Sequence, residues 1–127
     1  MQKNESKFWK QIREHKCEIS WTRLENSAAH GTPDLLGYNK YNKFFTVELK
    51  VSLSKFPRLS PHQISFHIKH PKNSFIMVKY LPKAPDPLAI KLYEGTAVHA
   101  LVGGALPMPT PVACGLSACC LFLENLK

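Results

Sequence analysis

The sequence contains few acidic residues, and one long stretch lacks Asp, Glu, Lys and Arg altogether. Its 127 residues include nine Asp and Glu against 17 Lys and Arg, which gives a formal net charge of +8. The uncharged stretch is residues 95–123, so the excess positive charge belongs mainly to residues 1–94. A basic surface of this kind is typical of proteins that bind nucleic acids.

Paired cysteines of the kind that hold zinc or form a disulfide framework are also missing. The four cysteines, Cys17, Cys114, Cys119 and Cys120, include no Cys-x-x-Cys spacing, so we expect reduced and partly buried thiols. Residues 1–7 are polar and contain no apolar core of a secretion signal. These absences predict a cytoplasmic protein, located in the host cytoplasm if its source is a virus.

A helix that crosses a membrane is not expected either. The uncharged stretch 95–123 is long enough to span a bilayer, but Pro107, Pro109 and Pro111 interrupt it. A proline inside a helix removes a backbone hydrogen bond and breaks or kinks the helix. We expect the apolar residues of this stretch to complete the core or to form the interface of a homodimer.

The spacing of apolar residues predicts a helix, three strands, a second helix and a fourth strand, in that order. The predicted helices are residues 5–16 and 61–70, and the predicted strands are 18–25, 34–38, 44–51 and 75–81. Ser60, Pro61 and Gln63 are typical of a helix start because they can form a capping box. The less regular ending contains a strand at 89–93 and helices at 96–102 and 116–126. We therefore expect one α/β (α+β) domain, with a small mixed β-sheet flanked by helices.

Two of the predicted strands flank a five-residue turn and can form a hairpin. If Tyr38 pairs with Phe44, Asp34 falls opposite Glu48, and directly opposed Cβ atoms lie roughly 5 Å apart. Two carboxylates at that distance repel each other unless a cation lies between them. Carboxylate oxygens are hard ligands that favour Mg²⁺ or Mn²⁺, so the hairpin predicts a metal site.

Lys50 follows Glu48 by two residues and therefore points to the same face of the strand. Its ammonium group is suited to orienting a water molecule or stabilising phosphate charge beside a metal. The backbone carbonyl of Leu49 is a further candidate metal ligand. Glu48-Leu-Lys50 alone is common on a solvated surface, and a catalytic role is favoured by its combination with Gly31-Thr-Pro-Asp34 and the helix start described above.

Three blocks of the sequence together resemble the PD-(D/E)XK nuclease superfamily: Gly31-Thr-Pro-Asp34, Glu48-Leu-Lys50 and Leu59-Ser-Pro-His-Gln63. The likeness is closest to its VRR-NUC branch and to the Holliday junction resolvase-like enzymes of phages and archaea. The resemblance covers about residues 5–81 and implies a restriction-endonuclease-like core. Residues 82–127 match no pattern of the family and extend the single domain 1–127.

The resemblance also implies roles for individual residues. Asp34 and Glu48 bind Mg²⁺, with Mn²⁺ able to substitute, Lys50 positions or activates the attacking water, and Gln63 supports the site from the following helix. No organic cofactor is implied. Such enzymes often place a Glu on the first helix, and three residues compete for that place: Glu5, which fits it best, Glu14 and Glu25.

By the same resemblance, we expect an endonuclease that cleaves branched DNA such as Holliday junctions. It would act as a homodimer, because a junction needs two symmetric cuts. The alternatives are flap, nicking or restriction-type cleavage, or a non-catalytic nucleic-acid-binding protein on the same fold. Basic residues beside the hairpin are expected to contact the phosphate backbone: Lys40, Lys43, Lys55 and Arg58, with His30 as a further candidate. His67 and His70 are expected on a polar helix face near the DNA, with a zinc site as the alternative.

Overall fold

The computed structural model describes residues 3–24, 31–81, 86–104 and 107–127, and these residues form a six-stranded sheet with helices on both faces. The strands are β1 (Ile19–Arg23), β2 (Leu35–Asn39), β3 (Phe44–Ser52), β4 (Ser74–Tyr80), β5 (Ile90–Glu94) and β6 (Ala113–Cys114). The helices are α1 (Lys3–Glu14), α2 (Pro61–Lys69), α3 (Val98–Val102) and α4 (Leu116–Glu124), with a short 3₁₀ turn at Gly95–Ala97.

The strands lie in the sheet in the order in which they occur along the chain. All neighbouring strands are antiparallel except β3 and β4, which are parallel because α2 crosses over between them. The prediction of a mixed α/β fold, with a small sheet flanked by helices, is confirmed. The predicted hairpin register is confirmed as well, since Tyr38 pairs with Phe44 and Leu35 pairs with Val47.

The two faces of the sheet are covered by different helices. On one, which we call the α1/α4 face, Val47 and Leu49 are fully buried against side chains of α1 and α4. On the other, the α2/α3 face, a smaller cluster is centred on Ile76, Val78 and Tyr93 and packs against α2 and α3. Alternation along β3 therefore places Glu48 and Lys50 on the α2/α3 face.

Helix α2 begins at the capping box that the sequence predicts. The backbone N–H of Gln63 donates to Ser60 Oγ at 3.2 Å, and the N–H of Ser60 donates to Gln63 Oε1 at 2.9 Å. Pro61 occupies the first turn, where its missing N–H costs nothing. These local contacts fix where α2 starts, and with it the position of Gln63 relative to β3.

Several apolar residues of the uncharged stretch 95–123 complete the core of the described chain. Its buried members include Val98, Leu101, Cys119 and Leu123, and several other apolar residues of the stretch pack partly buried against the core. Leu121 is an exception, with 60 % of its surface exposed. Among the described residues, no helix is long and apolar enough to cross a membrane. The two-residue strand β6 was not predicted, because so short a segment has no readable alternation.

Candidate active site

Asp34 and Glu48 come together where β2 begins and β3 continues past it. Extending the hairpin register by one residue places the two side by side. Asp34 Oδ2 accepts a hydrogen bond from the backbone N–H of Leu49 at 2.8 Å, and the Asp34 carboxyl lies within hydrogen-bonding reach of the Glu48 carboxyl. Glu48 is only 2 % exposed, while Asp34 is partly exposed, so the pair joins a buried carboxyl group to one that solvent reaches.

A proline frees the Leu49 carbonyl beside these carboxylates. Extending the register by one more residue places Pro33 opposite Leu49, and proline has no N–H with which to continue the ladder. The N–H and C=O of one strand residue point to the same edge, so the Leu49 carbonyl lies on the side of Asp34. The proline of the Gly-Thr-Pro-Asp block therefore helps to leave an oxygen atom available next to the two carboxyl groups.

The surroundings hold the pKa of Glu48 far above its usual value, at about 9. Burial is the largest cause, followed by repulsion from Asp34 and a hydrogen bond with its carboxyl. Lys50 acts in the opposite direction, and Glu5 raises the pKa slightly further. Because Glu48 is buried next to a second carboxyl group, it keeps a proton unless a cation compensates its charge.

Gln63 holds the Glu48 carboxyl from α2. Its Nε2 donates to Glu48 Oε2 at 3.2 Å while its Oε1 accepts the N–H of Ser60. The side chain is thus fixed at both ends, and its amide orientation follows from this network. Gln63 therefore contacts the carboxylate pair, and the supporting role that the resemblance implies for it stays a prediction.

Of the two candidate glutamates that the structure describes, Glu5 and Glu14, Glu5 acts on the pair. It is close enough to influence Glu48, and together with Lys50 and Arg58 it lines a cleft of about 530 Å³, which we call the carboxylate cleft. Glu14 is exposed and pairs with Lys10 at 4.0 Å. Glu25 lies outside the described residues.

Gly31 positions the loop that leads into Asp34. Its φ is +82°, a backbone conformation that residues with a side chain rarely adopt. A Cβ atom at this position would also collide with the backbone carbonyl of His62 in α2. Both the backbone conformation and the contact with His62 therefore require glycine. The Gly-Thr-Pro-Asp loop packs directly against the start of α2. The sequence pattern contained this glycine, but its contact with α2 could not be inferred from it.

The basic residues proposed to bind DNA fall into two groups. Arg58 lines the carboxylate cleft and Lys55 lines the adjoining cleft. Lys40 and Lys43 are exposed in the β2–β3 turn, at the far end of the hairpin and roughly 15 Å along the strand from Glu48. His30 lies outside the described residues.

The expectation that His67 belongs to a polar face near the DNA is wrong. His67 is buried, with Nδ1 2.6 Å from Ser74 Oγ, and Gly95 packs against the same pair. Burial, helped by the nearby His70, lowers its pKa to about 4, so the ring is neutral and structural. His70 is exposed and stacks on Phe66. Among the described residues, no three His, Cys, Asp or Glu side chains are grouped to hold a metal, so the alternative of a zinc site gains no support.

The donor set at the carboxylate pair fits a hard divalent cation. Two carboxyl groups and a backbone carbonyl are the oxygen ligands that Mg²⁺ and Mn²⁺ prefer. Burial and repulsion from Asp34 raise the pKa of Glu48, so a bound cation would favour its ionised form. Comparison of the sequence with protein-family models and with curated proteins gives no match. A functional assignment therefore depends on the geometry of these residues.

Proposed function

We propose that this protein is a Mg²⁺-dependent endonuclease of the PD-(D/E)XK type that hydrolyses phosphodiester bonds of DNA. The observation that carries the proposal is the pairing of Asp34 with the buried Glu48, with Lys50 on the same face of β3, in a protein of net charge +8. Carboxylates beside a polyanion weaken binding unless a cation neutralises them. A protein that only binds nucleic acid has no need of such a pair.

Each residue has a distinct task in the proposed reaction. Asp34, Glu48 and the Leu49 carbonyl would hold the cation, and the N–H of Leu49 keeps the Asp34 carboxylate in place. When bound, the metal polarises the phosphate and makes the attacking water more acidic. The Lys50 ammonium orients that water and stabilises the charge that develops on the phosphate. Gln63 fixes the orientation of Glu48.

For the substrate, we propose branched DNA such as a four-way junction, cleaved by a homodimer. Paired symmetric cuts require two active sites, and the exposed Leu121 offers apolar surface for an interface. Light scattering at micromolar concentration, with and without junction DNA, tests the assembly. A mass near 14.4 kDa without DNA, one protein chain per junction in the complex, and intact junction cleavage would together contradict the dimer.

Cleavage assays with four DNA forms test the proposal as a whole. Four-way junction, flap, single-stranded and linear duplex DNA are each incubated with Mg²⁺, Mn²⁺ or EDTA. We expect cleavage with either metal, none with EDTA, and a preference for the junction. Asp34→Asn should be inactive, while Asp86→Asn, the same change at the only other Asp of the chain, should be active. Metal-independent cleavage, or activity in Asp34→Asn, would overturn the site.

A further inference from the structure

A second cleft opens beside the carboxylate cleft on the α2/α3 face. It has a volume of about 590 Å³, within the range of small-molecule sites, roughly 300–1,000 Å³. Its walls are the Ser52–Lys55 loop, Tyr80 of β4, Lys91 and Tyr93 of β5, and residues 108–111. We call it the tyrosine pocket.

The tyrosine pocket adjoins the carboxylate cleft, which Lys50 and Glu5 line but Asp34 and Glu48 do not. Ser52, Leu53, Ser54 and Leu81 line both clefts. The strand register gives the spacing, because Lys50 pairs with Val78 and Val78 pairs with Lys91. Lys91 therefore lies two strands from Lys50, about 10 Å across the sheet. A DNA strand bound at the carboxylates reaches this pocket within a few nucleotides.

The lining of the tyrosine pocket combines aromatic rings with positive charge. The hydroxyls of Tyr80 and Tyr93 lie 3.2 Å apart, and Tyr80 Oη donates to the Lys55 carbonyl at 3.1 Å. Lys91 Nζ is 5.8 Å from the centre of the Tyr80 ring. Burial raises the pKa of both phenols, so they stay neutral. Among the described residues that line the pocket there is no acid, and Lys55 and Lys91 set its charge.

Leu53 stands on the rim that the two clefts share. It is 88 % exposed, more than any other large apolar side chain among the described residues. Exposure of that degree gives the folded chain no packing benefit. Apolar side chains placed this way in DNA-binding proteins insert between base steps and unstack them.

We infer that the tyrosine pocket receives one unpaired nucleotide of the bound DNA strand. Leu53 separates this nucleotide from its neighbour, the base lies against Tyr80, and Lys55 and Lys91 contact its phosphate. The inference rests on the proposed function and deepens it, since it names DNA with an unpaired nucleotide near the cut as the substrate. An aromatic wall, two lysines and no acid match a nucleotide better than a purely apolar or purely anionic ligand.

The chain's methionines allow binding to be observed without catalysis. Met108 lines the tyrosine pocket, whereas Met77 is fully buried on the α1/α4 face. With methyl-labelled methionine in EDTA, thymidine monophosphate should shift the Met108 signal in a saturable way and leave Met77 unmoved. Thymidine or inorganic phosphate alone should need several-fold higher concentrations. An unresponsive Met108, or equal responses to nucleotide and inorganic phosphate, would overturn the inference.

Variants of the pocket extend this test. Lys91→Ala should weaken the Met108 response several-fold, and Lys72→Ala, an exposed lysine that does not line the pocket, should not. Leu53→Ser should reduce cleavage of DNA with one unpaired nucleotide more than cleavage of the paired duplex. Leu88→Ser, at another exposed leucine, is the control. If cleavage occurs but Leu53→Ser lowers both substrates equally, the pocket assignment fails and the nuclease stands. If no DNA is cleaved, the nuclease proposal fails, while the Met108 measurement still tests the pocket.

Discussion

The two sides of strand β3 carry different kinds of residues with different tasks. On the α1/α4 face, Phe45, Val47 and Leu49 lie in the main core, beneath two helices of twelve and nine residues. On the α2/α3 face, Glu48 and Lys50 alternate with them, beneath helices of nine and five residues. Two clefts open beside Lys50: one extends to Glu5 of α1, and the other lies against Tyr80 and Tyr93 of the α2/α3 face.

This difference explains how a small domain keeps reactive groups in fixed positions. Glu48 lies between the fully buried Val47 and Leu49, and Lys50 lies between Leu49 and the partly buried Val51. Close packing on one face restricts motion of the backbone. The same backbone carries the side chains of the other face, so their attachment points are held in place as well. The comparison predicts that substitutions on the two faces should affect different properties, activity on one and stability on the other.

The largest effect, a loss of cleavage rate, is expected from substitutions on the α2/α3 face. Lys50→Ala should lower the cleavage rate on the order of 10²–10³-fold, because a positive group beside developing phosphate charge is lost. The melting temperature should hardly change. Lys72→Ala is the matched control at an exposed position. Near-normal metal-dependent cleavage by Lys50→Ala would remove Lys50 from the mechanism.

At the neighbouring residue Leu49 we expect the opposite outcome, a loss of stability without a loss of activity. Leu49 is fully buried on the α1/α4 face, so Leu49→Ala should lower the free energy of unfolding by about 2–5 kcal/mol. Its backbone carbonyl stays in place, so the rate of the remaining folded enzyme should be retained at low temperature. Leu53→Ala, at an exposed leucine, should change stability by less than about 0.5 kcal/mol. Denaturant unfolding and cleavage assays on the same samples separate the two properties.

Glu48 affects both activity and stability, and its raised pKa decides whether stability rises or falls with pH. The folded protein raises this pKa from about 4.5 to about 9, so the folded state favours the protonated form. Without metal, stability should therefore fall as the pH rises from about 4.5 towards 9. Glu48→Gln should remove most of this slope and stabilise the metal-free protein at pH 8 by about 1–3 kcal/mol, while abolishing cleavage.

Thermal unfolding in EDTA across this pH range checks the prediction for Glu48. Glu94→Gln, at an exposed glutamate of β5, is the matched control and should leave the pH slope as it is in the wild type. An equal slope in the wild type and in Glu48→Gln would show that Glu48 is ionised in the metal-free fold. The negative charge of the Asp34–Glu48 pair would then need another group to compensate it.

Local sequence patterns predicted the features of the candidate site that depend on residues close together in the sequence. The turn between β2 and β3 and the alternation of the strands fixed the Tyr38–Phe44 register, and Ser60 with Gln63 fixed the start of α2. Long-range packing was beyond the same reasoning. Helical spacing placed His67 beside Gln63, but the residues that cover it, Ser74 and Gly95, belong to other elements.

The choice among the candidate glutamates had the same limit. Glu5 and Glu14 both lie on α1, and periodicity alone does not tell which end of that helix lies near β3. The answer depends on how Phe8 and Ile12 pack into the main core. Likewise, whether residues 95–123 close the core or remain exposed depends on contacts distant in sequence, such as those of Leu123.

The smallest effect is expected in DNA binding, and it compares the two ends of the hairpin. Lys55 and Arg58 line the clefts at the site, whereas Lys40 and Lys43 lie at the turn, roughly 15 Å away. If the DNA follows the clefts, neutralising Lys55 and Arg58 together should flatten the slope of log affinity against log salt by about 2. The matched pair at the turn should change it less. Titrations of the inactive Asp34→Asn protein in EDTA at several salt concentrations measure both slopes. A larger change from the turn pair would place the duplex along the hairpin rather than along the clefts, because each phosphate contact contributes to the slope only where the DNA lies.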